Sequence, residues 1–145
     1  MRNCYAYIQV KFIHCGVFLL TACDFSKNTD EKFLKNAQCE ANLPCTFSND
    51  VKVWLSEETL SPETPFTIFS YLPANVTIED AKLKGITMYM GYIPQQFKKH
   101  NDLWQSNTMV GICSEQNMLW NLELTVKNNA TSVIQTLNYS FYVTY

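Results

Sequence analysis

Four sulfur-bearing side chains in the second half of the sequence have the type and spacing to bind a soft metal ion. Met88 and Met90 stand two apart on a β-rich run, Leu83 to Met90. As strand residues they would project from one face, about 6 to 7 Å apart. Cys113 lies in the polar turn of Val110-Gly111-Ile112-Cys113-Ser114-Glu115-Gln116-Asn117-Met118, with Met109 four positions before it and Met118 five after. Thioether and thiolate are soft donors and prefer Cu(I) to the hard cations. Two or three of these sulfurs meeting at one end of a small domain would make a cuprous site, and His100 could add a nitrogen. The expected ligands are therefore Met88, Met90, Cys113 and Met118, with Cu(I) as the cofactor. The same residues also have an ordinary use, because methionine fills irregular core gaps, packs well beside rings such as Tyr89 and Trp120, and an unpaired cysteine behaves as a small buried hydrophobe. A thiol redox role for Cys113 is a weaker third reading, and it requires an accessible thiol of lowered pKa.

No other chemistry stands out. There is no spacing of Ser, His and Asp that suggests a nucleophile with its base, and no CxxC redox motif. Glu57-Glu58 and Glu79-Asp80 read as solvated strand or turn ends. Catalysis needs converging acid, base or nucleophile groups, so an enzyme is not expected. With 4 Gly and 2 His the chain lacks the material for a Gly-rich phosphate loop or a multi-histidine centre. The net charge is -2, and the longest basic cluster is Lys98-Lys99, so nucleic acid is not an expected partner. The triplets beginning at Asn75, Asn129 and Asn138 match glycosylation acceptors and are read as chance.

The elements that must position the sulfurs are strands. At 145 residues, 47% hydrophobic and 17% charged, the chain has the material for one folded domain with a core. From Val51 onward, short runs rich in β-branched and aromatic residues follow one another, many alternating with period two: Val51 to Leu55, Phe66 to Leu72, Leu83 to Met90, Thr108 to Ile112, Leu119 to Val126 and Ser132 to Tyr145. Turn compositions separate them, among them Ser61-Pro62-Glu63-Thr64-Pro65, Leu72-Pro73-Ala74-Asn75 and Gly91-Tyr92-Ile93-Pro94. This spacing predicts an all-β domain over residues 49–145, a small antiparallel immunoglobulin-like β-sandwich of about six or seven strands.

Ahead of it, Met1 to Ala22 carries Arg2 and Lys11, no acidic residue, and the apolar run Phe12 to Leu20. That is the order of a secretory signal, and the run is shorter than the roughly 20 apolar residues a spanning helix needs. It ends in Leu20-Thr21-Ala22-Cys23, which resembles the bacterial lipobox. The resemblance implies that residues 1–22 are removed and that Cys23 is acylated. It also implies a lipid anchor on an envelope membrane facing the periplasm, with Asp24 favouring the inner membrane. Each acyl chain contributes about 0.8 kcal/mol per buried methylene, so several hold a domain without a spanning helix. Residues 23–48, polar and irregular, read as the tether.

Outside the cytoplasm cysteines pair. With Cys23 lipidated, Cys39, Cys45 and Cys113 remain. Cys39 and Cys45 enclose five residues, enough for their Cα atoms to reach disulfide distance, and this pair is expected. A bond from either one to Cys113 is the competing arrangement.

The order Gly85-Ile86-Thr87-Met88-Tyr89-Met90-Gly91-Tyr92-Ile93-Pro94, then Trp104, Val110-Gly111-Ile112-Cys113-Ser114-Glu115 and Met118-Leu119-Trp120-Asn121-Leu122-Glu123-Leu124, resembles the FixH/YtkA-like domains across about residues 51–126. The resemblance implies an exported immunoglobulin-like sandwich and an association with copper supply and assembly of respiratory oxidases. A histidine is usual in that pattern near the position of Met88 and is missing here, and Cys113 and Met118 stand where a glycine-rich turn is typical. A site here would be dominated by sulfur and suited to Cu(I). The expected function is a membrane-anchored envelope lipoprotein that binds Cu(I). The alternative is a metal-free module that presents an edge strand or exposed aromatics to an envelope protein.

Overall fold

Alternation of large apolar side chains over short runs leaves each strand with one face to bury, and here two antiparallel sheets bury those faces against each other. The computed structural model describes residues 38 to 145, so the expected signal peptide, Cys23, Asp24 and the tether as far as residue 37 lie outside the described residues. The strands are β1 (Cys45–Thr46), β2 (Lys52–Leu55), β3 (Phe66–Tyr71), β4 (Val76–Gly85), β5 (Tyr92–Pro94), β6 (Lys98–His100), β7 (Leu103–Thr108), β8 (Asn117–Asn128) and β9 (Ile134–Thr144). One sheet has the order β1-β2-β3-β7-β6 and the other β5-β4-β8-β9. This is the expected all-β sandwich, with nine strands among the described residues where the sequence predicts six or seven.

β8 and β9 form its spine. They pair without a register shift from Asn117 opposite Thr144 to Lys127 opposite Ile134. Met118, Trp120, Leu122, Leu124 and Val126 of β8 face the interior, as do Leu137, Tyr139, Phe141 and Val143 of β9. Phe66 and Ile68 of β3 meet them from the other sheet, and the Phe66 and Phe141 rings pack edge to face at 5.6 Å. Each large side chain so buried contributes about 1.5 to 3 kcal/mol of transfer free energy.

Three local departures from the sequence reading have physical causes. β4 begins at Val76, well before the predicted Leu83, and its register slips between Ile78 and Asp80. That bulge moves the buried positions from Val76 to Ala81 and Leu83, so the even spacing that marks a strand is lost. β4 also stops at Gly85, leaving Met88 and Met90 on a loop and not on a strand. The predicted strand Thr108 to Ile112 is displaced as well: β7 ends at Thr108, and the Val110 carbonyl accepts a hydrogen bond from Glu63 N–H at 2.8 Å in place of a ladder partner. Finally, the sandwich begins earlier than residue 49, for Cys45 and Phe47 are buried in the core and β1 pairs with β2. Cys39 and Cys45 are joined, with Cα atoms 5.6 Å apart, which leaves Cys113 as the free cysteine among the described residues.

Candidate functional site: a sulfur pair at one end of the sandwich

Two loops build the site. The first, residues 86–91, leaves β4 and is tied to β8 by the hydrogen bond from Ile86 N–H to the Leu119 carbonyl, 2.8 Å. The Leu119 N–H then donates to the Thr87 hydroxyl at 3.0 Å. A side-chain oxygen thus accepts the bond that a strand carbonyl would otherwise take, so the ladder ends and the chain turns outward. Gly91 closes this loop at φ 74, a conformation glycine adopts without steric cost.

The second loop, 109–116, is held at three points. Val110 is buried and its carbonyl is bonded to Glu63. The Tyr145 hydroxyl donates to the Cys113 carbonyl at 2.7 Å, and the Tyr145 N–H donates to the Gln116 carbonyl at 3.3 Å. The backbone around Cys113 is therefore fixed by the residue that follows β9.

Between these loops the Cys113 thiol donates to the Met88 sulfur, with Sγ and Sδ 3.2 Å apart. Both side chains are partly open to solvent, Met88 to 36%. Met90 is exposed on the same loop as Met88. Met118 is different: it is 3% exposed, faces the interior of the sandwich, and belongs to the core. Its Cε lies 2.6 Å from where a Cβ on Gly85 would stand, and the Met88 carbonyl crowds the same point. The absence of a side chain at Gly85 is what allows the Met88 loop and the Met118 thioether to share one patch.

The structure thus brings Met88 and Cys113 into contact from two loops, keeps Met118 in the core against Gly85, and leaves Met90 exposed on the Met88 loop. His100 is elsewhere. It pairs with Leu103 at the start of β7, whereas Met109 and Cys113 follow its end, roughly 17 Å of strand away. Met109 is exposed just beyond β7. Gly85, Thr87 and Tyr145 were not picked out in the sequence, since a lone glycine, threonine or tyrosine carries no pattern that says which loop it will brace.

Chemically, the pair offers one thiol and one thioether at a surface. Among the described residues, no three His, Cys, Asp or Glu side chains gather to hold a metal, so any ion here would rely on thioethers around a single thiol. A metal–sulfur bond is about 2.3 Å, which requires the Cys113 and Met88 sulfurs to part by roughly half an ångström. The unbranched methionine side chain, with three rotatable bonds, accommodates such a shift. A thiolate would balance the charge of a monovalent cation, and the neutral thioethers would add none.

The titrating groups that depart from their usual values lie away from this end. On the outer face of the β4–β8 sheet, Lys84 pairs with Glu123 at 2.7 Å, and Lys82 lies between Asp80 at 3.4 Å and Glu123 at 3.6 Å. The hydrogen bond that Lys82 donates to the Asp80 carboxylate above all, then the charges of Asp80 and Glu123, raises the Lys82 ammonium above its usual value against an opposing desolvation. Burial in the core raises the Tyr139 phenol. Comparison with protein-family models, curated proteins and solved structures gives no match to this chain.

Proposed function

We propose that this protein is a lipid-anchored envelope protein that binds Cu(I) through Cys113 and Met88, with Met90 and Met118 completing the sulfur set, and passes it to a respiratory oxidase under assembly. The observation that carries the reading is the 3.2 Å approach of the Cys113 and Met88 sulfurs at a solvent-reached surface. Soft donors held together by two braced loops favour a soft, monovalent ion over hard cations. The partial exposure of the pair suits an ion that is received and handed on. The anchor at Cys23, the periplasmic address and the oxidase rest on the lipobox-like segment and on the resemblance to FixH/YtkA-like domains.

An anaerobic Cu(I) titration against a competing chelator tests it, with Met88→Ala and Cys113→Ser beside the unaltered protein. One-to-one binding that weakens at least tenfold in each variant is the expected result. Binding unaffected by both substitutions removes the site.

A second reading is favoured by the apolar side chains on and beside the same loops. Tyr89 is 85% exposed, and Tyr92 and Ile112 are also largely in solvent. Exposed aromatic and aliphatic groups clustered on loops suit a protein contact. A protein that binds no Cu(I) yet co-purifies with an envelope partner, and loses it on Tyr89→Ser, would support the metal-free module.

A further inference from the structure

The four edges of the two sheets are not equally protected. β1 is two residues long; β6 is three, and two of them are lysines; β5 is three and ends in Pro94. Shortness, lysine and proline are the usual defences of a strand edge against pairing with another chain. β9 has none of them. It is eleven residues long, and from Asn128 to Tyr145 the sequence contains no charged residue, no proline and no glycine.

Half of the β9 edge is nonetheless closed within the chain. Asn42 N–H donates to the Ser140 carbonyl at 3.2 Å, and the Asn42 side chain exchanges hydrogen bonds with the Tyr142 backbone. Thr144 N–H donates to the Leu60 carbonyl at 3.0 Å. These bonds show that Ser140, Tyr142 and Thr144 turn their backbone groups away from β8. Because β8 and β9 pair without a shift, the alternation carries back along the strand, and Asn138, Thr136 and Ile134 turn theirs outward too. No segment of the described chain covers them. All three residues are exposed, Ile134 to 61%.

We propose that two copies of this chain pair through this open half of β9, antiparallel, with Thr136 of each copy opposite Thr136 of the other on a two-fold axis. In that register Ile134 of one copy meets Asn138 of its partner, and each outward residue exchanges both backbone hydrogen bonds. The open segment is matched to itself at both ends. Opposite Ser140, whose carbonyl Asn42 already occupies, falls Ser132, where the backbone has turned to φ 59 and the strand has ended. The lack of charge means that a strand meeting its own copy encounters no like-charge repulsion. An isologous contact of this kind closes at two copies, since the other edges are defended.

Sedimentation equilibrium of the full chain in density-matched detergent reads the result, with circular dichroism and the thermal midpoint as controls of folding. The unaltered protein is expected to be a dimer. Thr136→Lys and Thr136→Glu each place like charges across the axis, and each is expected to be a monomer with its fold intact. Mixing the two variants in equal amounts should restore a dimer, which loss of folding could not do. A monomeric unaltered protein overturns the proposal and leaves the edge for a strand of another protein. A dimer that survives both charged variants overturns it as well.

Discussion

The Asn42 side chain stands in for a strand: its Nδ2 donates to the Tyr142 carbonyl at 3.1 Å while the Tyr142 N–H donates to its Oδ1 at 2.6 Å. The same amide nitrogen reaches the Glu58 carbonyl at 2.7 Å, so one residue joins the start of the described chain, the β2–β3 connection and β9. Asn42 sits at φ 64, a conformation asparagine tolerates better than most residues. Asn42→Ala removes the side-chain bonds and strains the backbone. We expect it to cost about 1 to 3 kcal/mol in urea unfolding. Asn42→Gly should recover only the backbone part, and an unchanged midpoint in both variants would show that this amide does not hold the edge.

The Cys39–Cys45 bond closes a small loop, with a sequence separation of 6, at the margin of the sheet that begins with β1. Chain-entropy reasoning gives such a loop about 2 kcal/mol of stabilisation. Cys39→Ser/Cys45→Ser is expected to lower stability by about that amount, and a reductant should lower the unaltered protein to the same level while leaving the variant where it was. A reductant effect that persists in the double variant would assign the bond to other cysteines.

Much of the sandwich was legible because β2, β8 and β9 each keep one apolar buried face without interruption, and β3 breaks its own only at Ser70. β9 shows this plainly, with Leu137, Tyr139, Phe141 and Val143 all buried. The elements missed are those in which the pattern is broken or polar. β4 hides behind its bulge at Ile78/Asp80, and β7, Leu-Trp-Gln-Ser-Asn-Thr, buries Ser106 against Gln95 at 3.0 Å where an apolar pair would be anticipated. β1 and β6 are too short for a period. At the site, sequence spacing pointed to Met88 and Cys113 but not to the loop that brings Met88 to the thiol. That loop exists because Thr87 ends the ladder and Gly85 admits Met118, and both are contacts between residues more than 30 positions apart.

Tyr139 lies 1% exposed in the core, and its hydroxyl makes no hydrogen bond among the described residues. Burial raises its phenol above the ordinary value of 10.0. A phenol whose folded pKa is raised contributes stability that is complete below the unfolded pKa and lost as pH rises beyond it. Stability should therefore fall above about pH 10. Lys82, also raised, weakens over the same alkaline range, so the comparison must be between variants. Tyr139→Phe removes an unsatisfied polar group and is expected to leave neutral-pH stability unchanged or raise it by up to about 1 kcal/mol. It should also flatten the alkaline decline, and equal declines in both proteins would show that Tyr139 is not its source.

Gly85 is the position where stability and the sulfur site meet. A Cβ there would stand 2.6 Å from Met118 Cε and closer still to the Met88 carbonyl, so the flexible methionine end could yield but the loop backbone could not without moving. Gly85→Ala is therefore expected to push residues 86–91 outward and separate Met88 from Cys113. Overpacking of this kind costs about 1 to 3 kcal/mol. The same displacement should make the Cys113 thiol react faster with a maleimide, because Met88 would no longer cover it. Met118→Ala relieves the side-chain contact but not the backbone one. The double variant Gly85→Ala/Met118→Ala also gives up a buried core side chain, at about 2 to 5 kcal/mol, so it should be no more stable than Gly85→Ala and should keep the fast maleimide reaction. If the double variant recovers the original thiol protection, the Met88 loop is placed by Met118 packing and not by the missing Cβ.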